Sequence, residues 1–239
     1  MSKRLFLVSV TIVIFLTSLY LSPTASAELT AGVQLGYGAT TYSEILGDKS
    51  LKATEWSDRL WVNLAKDDLL FTLLYQGAHS LKGQGVNRTV AQVGANYLFL
   101  NEAALQVYGG LGYQFLNARV ENANVEDAQK STFTGHGFVG QVVLAIPVSE
   151  QVRTTATITG NPWMKWSFNQ GDVTDHNLKM APSFVYQLDL TYDFSEDLGA
   201  HLGLLGGSFK VPEFTFSGKA KGATKASFTG ISLGVTHRF

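Results

Sequence analysis

Apolar and polar residues alternate along most of this chain. In residues 28–40 the apolar side chains include Leu29, Val33, Leu35 and Tyr37, and mostly Gly, Gln and Thr occupy the positions between them. Side chains of a β-strand point alternately to opposite faces, so this pattern predicts a strand with one apolar face and one small or polar face. The alternation recurs and predicts ten strands, at residues 28–40, 54–66, 69–79, 87–99, 104–119, 130–148, 151–163, 180–194, 198–211 and 225–239.

The connections between these strands alternate between short and long. The short ones are turns rich in Asp and Glu, at residues 66–68, 100–103, 148–151 and 195–197. The longer ones are loops at residues 41–53, 80–86, 120–129, 164–179 and 212–224. In an up-and-down sheet the turns therefore lie at one end and the loops at the other, and an even number of strands places both termini at the turn end.

The predicted strands are long. Strands of soluble domains average roughly 5–6 residues, whereas a strand that crosses a bilayer at a tilt needs roughly 9–11. Aromatic residues gather near strand ends, as in the interfacial girdles of membrane barrels, and they include Phe99, Phe115, Trp163, Phe184, Phe194 and Phe239. Because every backbone polar group must be paired in hydrocarbon, such strands favour a closed barrel.

The N-terminus has the three-part order of a secretory signal peptide. Lys3 and Arg4 precede an apolar run at residues 5–21, and the segment closes on Ala25-Ser26-Ala27. This order predicts cleavage after Ala27, with residues 28–239 forming one mature domain. The alternative is an uncleaved membrane anchor, because the apolar run is long for a signal peptide.

The amino-acid composition argues against disulfide bonds and against a nucleic-acid partner. The chain has no Cys, so an exported domain must be stabilised by strand pairing and packing rather than by disulfides. Charged residues make up 15% of the chain and the net charge is −1, without clustered basic residues. We therefore expect no nucleic-acid partner.

The C-terminal segment 225–239 is predicted to be a strand with an apolar face and an aromatic last residue. Leu233, Val235 and Phe239 share one face, and the chain ends on the aromatic Phe239. Together with the export signal and the alternation of turns and loops, this ending resembles the bacterial outer-membrane β-barrel proteins, without indicating a particular family among them. The resemblance implies an all-β, closed antiparallel up-and-down barrel in the outer membrane, with periplasmic turns and extracellular loops. It also implies that the barrel-assembly machinery recognises the last strand through Phe239, and that outer-membrane lipid and lipopolysaccharide surround the barrel.

Several charged residues are predicted to point into the lumen. They lie on the inward face of the last four strands, in the periplasmic half, and are Arg153, Asp189, Asp193, His201 and Arg238. One interpretation is that they form paired groups that fill the lumen, because unpaired buried charges are costly. The other is that the same cluster gates or tunes a small pore.

Two loops contain candidate binding residues. In the loop at 164–179 and its flank, Trp163, Trp166 and Phe168 are predicted either to contact an extracellular ligand or host surface, or to lie in the outer girdle. In the loop at 212–224, Lys219 and Lys221 either meet lipopolysaccharide phosphates or belong to a solvated loop.

The function expected from these features is structural, surface-interacting or ligand-binding, and the alternative is a narrow channel for ions or small solutes. We expect no enzymatic activity, no catalytic residues and no cofactor or metal. An omptin-type protease is the enzyme to consider, because Asp172, Asp175 and His176 lie together in one loop. The resemblance to omptins fails on the early strands, where no extracellular Asp pair occurs. A lipid-modifying hydrolase would need an outward Ser and His, and His237 lies at the opposite, periplasmic rim.

Overall fold

The computed structural model describes residues 27–46, 49–81, 85–121, 130–171, 173–175 and 178–239. The predicted signal peptide lies outside the described residues, apart from Ala27, and its cleavage site stays a prediction. In the described part of the chain, no helix is both long enough and apolar enough to cross a membrane.

Ten long strands and three short ones account for most of these residues. The long strands are β1 (Glu28–Ile45), β2 (Lys49–Lys66), β3 (Leu69–Ser80), β4 (Val86–Glu102), β5 (Leu105–Val120), β6 (Ser131–Pro147), β7 (Val152–Gln170), β9 (Ala181–Asp193), β10 (Leu198–Val211) and β13 (Thr224–Arg238). The short strands are β8 (Val173–Asp175), which pairs with the end of β7, and the hairpin of β11 (Phe214–Phe216) with β12 (Lys219–Lys221).

The long strands close into a barrel. Each pairs antiparallel with the next long strand along the chain, and β13 pairs with β1, where Val235 lies opposite Val33. On its other side β13 pairs with β10, so the C-terminal strand closes the sheet as predicted. Closure leaves no open sheet edge in the membrane, since each long strand has a partner on both sides. The predicted up-and-down barrel of ten strands is confirmed.

The four predicted turns are confirmed, but the opposite end of the barrel differs from the prediction. Most of the expected loop at 41–53 is strand, because β1 continues to Ile45 and β2 begins at Lys49. The expected loop at 164–179 is wrong in its first part, because β7 continues to Gln170. The expected loop at 212–224 contains the β11–β12 hairpin. At this end, which we call the extracellular end, the strands extend beyond the length that a bilayer requires.

An apolar belt surrounds the barrel next to the turns. On β1, Val33, Leu35 and Tyr37 point outward and are exposed. The edge nearest the turns, which we call the periplasmic edge, carries an aromatic girdle made of Tyr97, Phe99, Tyr192, Phe194 and Phe239. An outward apolar band flanked by aromatic residues is the surface that an outer-membrane barrel presents to lipid.

The polarity of both faces inverts above this belt, and β5 shows it without a change of register. Its outward residues pass from Tyr113 and Phe115 to Arg119, which is exposed. Its inward residues pass from Gln114 to Leu116, which is fully buried. Where the outer face leaves the lipid it meets water and becomes polar, and the inner face can then become an apolar core. Alternation continues through the inversion, so the strand does not end there.

On β7 the inversion coincides with a bulge. Thr157 and Thr159 point inward in the lower part of the strand, and the pairing with β9 shifts register between Asn161 and Met164. Beyond the shift, Met164 and Phe168 are the inward, buried residues. A β-bulge adds one residue to one strand and so changes which positions face inward. The simple alternation read from the sequence stopped at this point, which is why a loop was expected.

Candidate functional site: the lumen of the barrel

The extracellular half of the lumen is filled by apolar side chains. Nearly every long strand contributes to this group, which we call the apolar plug and whose larger members are Tyr42, Ile45, Leu116, Phe133, Met164, Trp166, Phe168, Phe209 and Phe216. The ring of Trp166 lies 5.5 Å from that of Phe209. Phe168 contacts Phe214 and Phe216 of the β11–β12 hairpin, with ring centroids 4.8 and 4.9 Å apart. The hairpin therefore covers the plug from the extracellular side.

Two of the three aromatic binding candidates are members of this plug. The expectation that Trp166 and Phe168 project from a surface loop is wrong, because the bulge in β7 turns both into the lumen. Trp166 is 2% exposed and Phe168 is fully buried. Trp163 points outward and is 73% exposed, at the level where the apolar belt ends, which is the position of a girdle residue.

The lysine candidates lie on the extracellular hairpin. Lys219 and Lys221 are the ends of β12, and Lys219 is exposed. Lys225, at the start of β13, points outward and its Nζ lies 2.7 Å from Glu44 Oε1. Lys210 lies directly opposite Lys225 on the neighbouring strand. The predicted basic surface thus includes an outward lysine pair, Lys210 and Lys225, in addition to the hairpin.

Below the plug lies a buried ion pair that sequence reasoning missed. Arg88 Nη2 donates to Glu55 Oε1 at 2.7 Å, and both residues are almost fully buried. Thr40 Oγ1 donates to the other Glu55 oxygen at 2.8 Å, and the Arg88 guanidinium lies 3.6 Å from the centre of the Phe228 ring. The alternation along β4 could have found this residue, because Arg88 is four positions from the inward Gln92 and therefore lies on the same face of the strand.

A second buried ionic group lies closer to the periplasm. Arg59 Nη2 donates to Asp189 at 3.1 Å, and His201 Nε2 lies 2.9 Å from the other Asp189 oxygen. Gln187 also donates to this carboxylate, and His201 Nδ1 lies 3.1 Å from Thr191 Oγ1. The Asp189 charge is therefore compensated and hydrogen-bonded where it is buried, as buried charges must be.

A third ionic group surrounds the periplasmic mouth. Asp193 Oδ2 lies 3.4 Å from both Arg153 and Arg238, and Arg238 Nε lies 2.9 Å from Glu28. All five residues of the predicted charge cluster are on the lumen side or its rim, but they form two groups rather than one. Asp189 and His201 join Arg59 inside the barrel, while Arg153, Asp193 and Arg238 join Glu28 at the mouth.

Between these two groups is a cavity of about 200 Å³. Its walls combine neutral polar groups, such as the threonines of β7 and the amides of Gln187 and Asn63, with the apolar side chains of Trp61, Leu70, Leu74, Val143 and Val185. Glu28 and Arg153 line its periplasmic end. The lumen is thus divided into a polar chamber that faces the periplasm and an apolar plug that faces the cell exterior.

A polar pair, Asp58 and His79, lies on the outer surface at the upper limit of the belt. Asp58, which interrupts an apolar face in the sequence, lies 3.2 Å from His79 Nε2, and the His79 ring packs on Trp56 with centroids 4.5 Å apart. Gly77 lies beneath the pair, where a Cβ would approach Asp58 Oδ1 to 2.7 Å. The pair explains how a carboxylate is tolerated close to lipid.

The residues considered for an omptin-type site are described only in part. Asp172 and His176 lie outside the described residues, and Asp175 belongs to β8. Among the residues that the structure describes, no group of His, Asp and Glu is arranged to hold a metal ion.

Phe239 is exposed on the outer face, its ring packs on His237 at 4.4 Å, and its backbone N–H donates to the Leu29 carbonyl oxygen.

Comparison with known proteins gives the fold and no closer relation. No protein-family model matches the chain, and a search of curated proteins returned no match. The outer membrane protease OmpT from Escherichia coli superposes with a TM-score of 0.53 over 92% of this chain and 99% of its own, at 10% sequence identity. Neisserial surface protein A covers 88% of this chain and 97% of its own at 13% identity, with a TM-score of 0.42. Ail, the attachment invasion locus protein of Yersinia pestis, covers 88% and 98% at 12% identity, with a TM-score of 0.33.

At these identities the likeness to OmpT concerns the fold alone, and the two lower TM-scores add nothing to it. The observations that agree are the closed antiparallel sheet, the outward apolar belt with its aromatic girdle, and the turns at one end. The chain therefore has the fold of a ten-stranded outer-membrane β-barrel.

Proposed function

We propose that this protein is a non-conducting, non-enzymatic outer-membrane barrel that acts at the cell surface through its extracellular end. The observation that carries the proposal is the apolar plug. A hydrated ion or a polar solute would have to displace close-packed aromatic side chains such as Trp166 and Phe168 to cross the barrel. Truncation of one buried large aromatic side chain costs on the order of 3–5 kcal/mol, so loss of the packing of several such side chains would be strongly unfavourable.

Planar bilayers separate this proposal from a narrow channel. Refolded protein should insert without discrete conductance steps at any applied voltage. Conductance steps that change in Arg153→Ala or Asp193→Ala would support a channel through the mouth and would overturn the non-conducting role. A barrel with the β11–β12 hairpin deleted is the matched comparison, and it should remain silent because the other plug residues still fill the lumen.

The extracellular end also supports a choice of partner. Its outward side chains include Lys52, Lys210, Lys219, Lys221 and Lys225, whereas the periplasmic turns carry Asp67, Asp68, Glu102, Glu150, Glu196 and Asp197. Ammonium groups placed just above an apolar belt meet the phosphates of lipopolysaccharide, with attraction that salt weakens. We infer that this basic end binds anionic headgroups or anionic surface partners.

Charge reversal tests this choice. A Lys210→Glu and Lys219→Glu double variant of the refolded barrel should bind immobilised lipopolysaccharide more weakly than the wild type. The difference between the two should become smaller at high salt, because salt also weakens binding of the wild type. Lys66→Glu applies the same kind of reversal at the periplasmic end and should leave binding unchanged. Equal loss in both variants would mean that net charge, not the extracellular surface, determines binding.

For Phe239 we propose the role that the terminal aromatic suggests, recognition by the assembly machinery. Deletion of Phe239 should reduce the amount of protein assembled in the outer membrane while leaving export to the periplasm unchanged, and Phe239→Tyr should assemble nearly as well as wild type. Normal assembly of the deletion would contradict the role.

A further inference from the structure

We propose that the periplasmic cavity is a binding site for a small, neutral, polyhydroxylated molecule of about the size of a hexose. This inference is independent of the surface role proposed above. The cavity measures about 200 Å³, and its wall includes three successive inward threonines of β7, Thr155, Thr157 and Thr159. Opposite and beside them are the amides of Asn63 and Gln187. Hydroxyl and amide groups both donate and accept hydrogen bonds, which is what a polyol requires of its site.

Charge compensation indicates that the ligand is neutral. Inside the cavity the Asp189 carboxylate is already paired with Arg59 and lies within 2.9 Å of His201. At the mouth, Arg153 and Arg238 face Asp193 and Glu28. The three arginines, Arg59, Arg153 and Arg238, are thus matched by the three carboxylates, Asp189, Asp193 and Glu28. A charged ligand would compete with an existing ion pair, whereas a neutral one meets only the uncharged hydrogen-bonding groups.

Two polar atoms of lining residues are buried inside the wall. Thr236 is 5% exposed, and its Oγ1 makes no hydrogen bond to any residue that the structure describes. Trp61 Nε1 is likewise buried without a hydrogen-bond partner in the described part of the chain. Both residues line the cavity. Each atom has almost no accessible surface, and a Cβ on Gly32 would lie 2.6 Å from Trp61 Nε1, on the wall side of the ring. The hydrogen bonds of a ligand would therefore be made by the threonine hydroxyls and amides that line the open volume.

Trp61 also supplies a flat apolar face. Its indole lies against Gly32, where a Cβ would come within 2.5 Å of the ring, so β1 can carry only glycine at that position without moving the ring. One face of the indole is therefore held close to the barrel wall, and the side chain forms part of the cavity lining. Aromatic faces bind the apolar C–H side of a sugar ring while the hydroxyls reach polar groups around it.

Access to the site is from the periplasm. The apolar plug separates the cavity from the cell exterior, and the cavity residues nearest the barrel end, Glu28 and Ala65, are adjacent to the periplasmic turns. A ligand would thus be taken from the periplasmic solution and held rather than passed through.

Three probes of similar size test the chemistry of the ligand. Glucose, glucuronate and glucosamine, titrated by calorimetry into the refolded full chain in detergent micelles, share a pyranose ring and differ mainly in charge. We expect glucose to bind and the anionic and cationic probes to bind at least about tenfold more weakly. Thr157→Val should weaken glucose binding about tenfold, because one hydrogen bond of roughly 1–1.5 kcal/mol is lost. The matched control is Thr229→Val on the outer face of β13, which should leave it unchanged.

Blocking the mouth tests the location. The chain has no Cys, so Ala65→Cys introduces a unique thiol in the cavity lining. A bulky maleimide on this thiol should abolish glucose binding, and the same label on an Ala103→Cys variant, in the turn between β4 and β5, should not. Absence of binding for all three probes at millimolar concentrations, preference for a charged probe, or glucose binding that survives the blocked mouth would each overturn the proposal.

Discussion

The two halves of the lumen are built from the same ten strands and have opposite chemistry. Toward the periplasm, inward side chains are threonines, amides and paired charges around a cavity, and the outer face is apolar. Toward the exterior, inward side chains form a dry aromatic and aliphatic core, and the outer face is polar. The difference follows from the medium outside the barrel, lipid in one half and water in the other, because each face takes the polarity that its surroundings allow.

The comparison also shows what holds each half together. The extracellular half has the organisation of a soluble β-barrel, in which burial of apolar area stabilises the fold. In the membrane half the outer face contacts lipid, so apolar burial away from water contributes little to its stability. Inward hydrogen bonds and ion pairs therefore define the arrangement of the lumen in this half. Substitutions with the same chemistry should therefore have different effects in the two halves.

The largest expected effect comes from a carboxylate placed in the plug. Phe168→Asp introduces an unpaired charge among buried aromatic rings, and such a charge costs far more than a barrel of this size can lose. We expect no heat-modifiable, folded band on gels after refolding. Thr157→Asp, on the inward face of the same strand, places the carboxylate in the polar cavity and should still fold. Equal folding of both variants would show that the extracellular half is not a dry core.

A smaller effect is expected in the ionic layer between the halves. Arg88→Met leaves Glu55 buried without its cation, and removal of one partner of a buried pair costs on the order of 3–5 kcal/mol. Unfolding in urea, followed by tryptophan fluorescence, should show this loss. Adding Glu55→Gln should recover most of it, since the uncompensated charge is then removed. Equal destabilisation of the single and double variants would contradict the role assigned to the buried charge.

The smallest effect is expected at the mouth. The Arg153 side chain is about one-third exposed, and Arg238 also faces Asp193. Water and salt screen such a pair, so Arg153→Ala should cost less than about 1 kcal/mol. The difference from wild type should shrink further at high ionic strength. A loss as large as that of Arg88→Met would mean that the mouth is as dry as the layer above it.

The candidate site was only partly predictable from the sequence. The alternation of side chains along each strand correctly placed Arg153, Asp189 and His201 inside the barrel, because it depends only on neighbouring residues. The same rule applied to Arg88 would have found the missed ion pair. Trp166 and Phe168 were misplaced because the bulge in β7 changes the phase of the alternation. The available signal was Pro162, since proline inside a sheet is confined to strand starts, edges and bulges.

The sequence by itself determined the number of strands, the end at which the turns lie and the outward apolar faces, because side-chain alternation depends only on neighbouring residues. Only the tertiary structure decided which inward residues meet. Arg59 and Asp189 are 130 positions apart and become partners across the lumen. The tilt and stagger of the closed sheet determine which residues share a layer. Tilt and stagger also set the height at which each strand leaves the lipid. They therefore determine where the polar chamber of the lumen ends and the apolar plug begins.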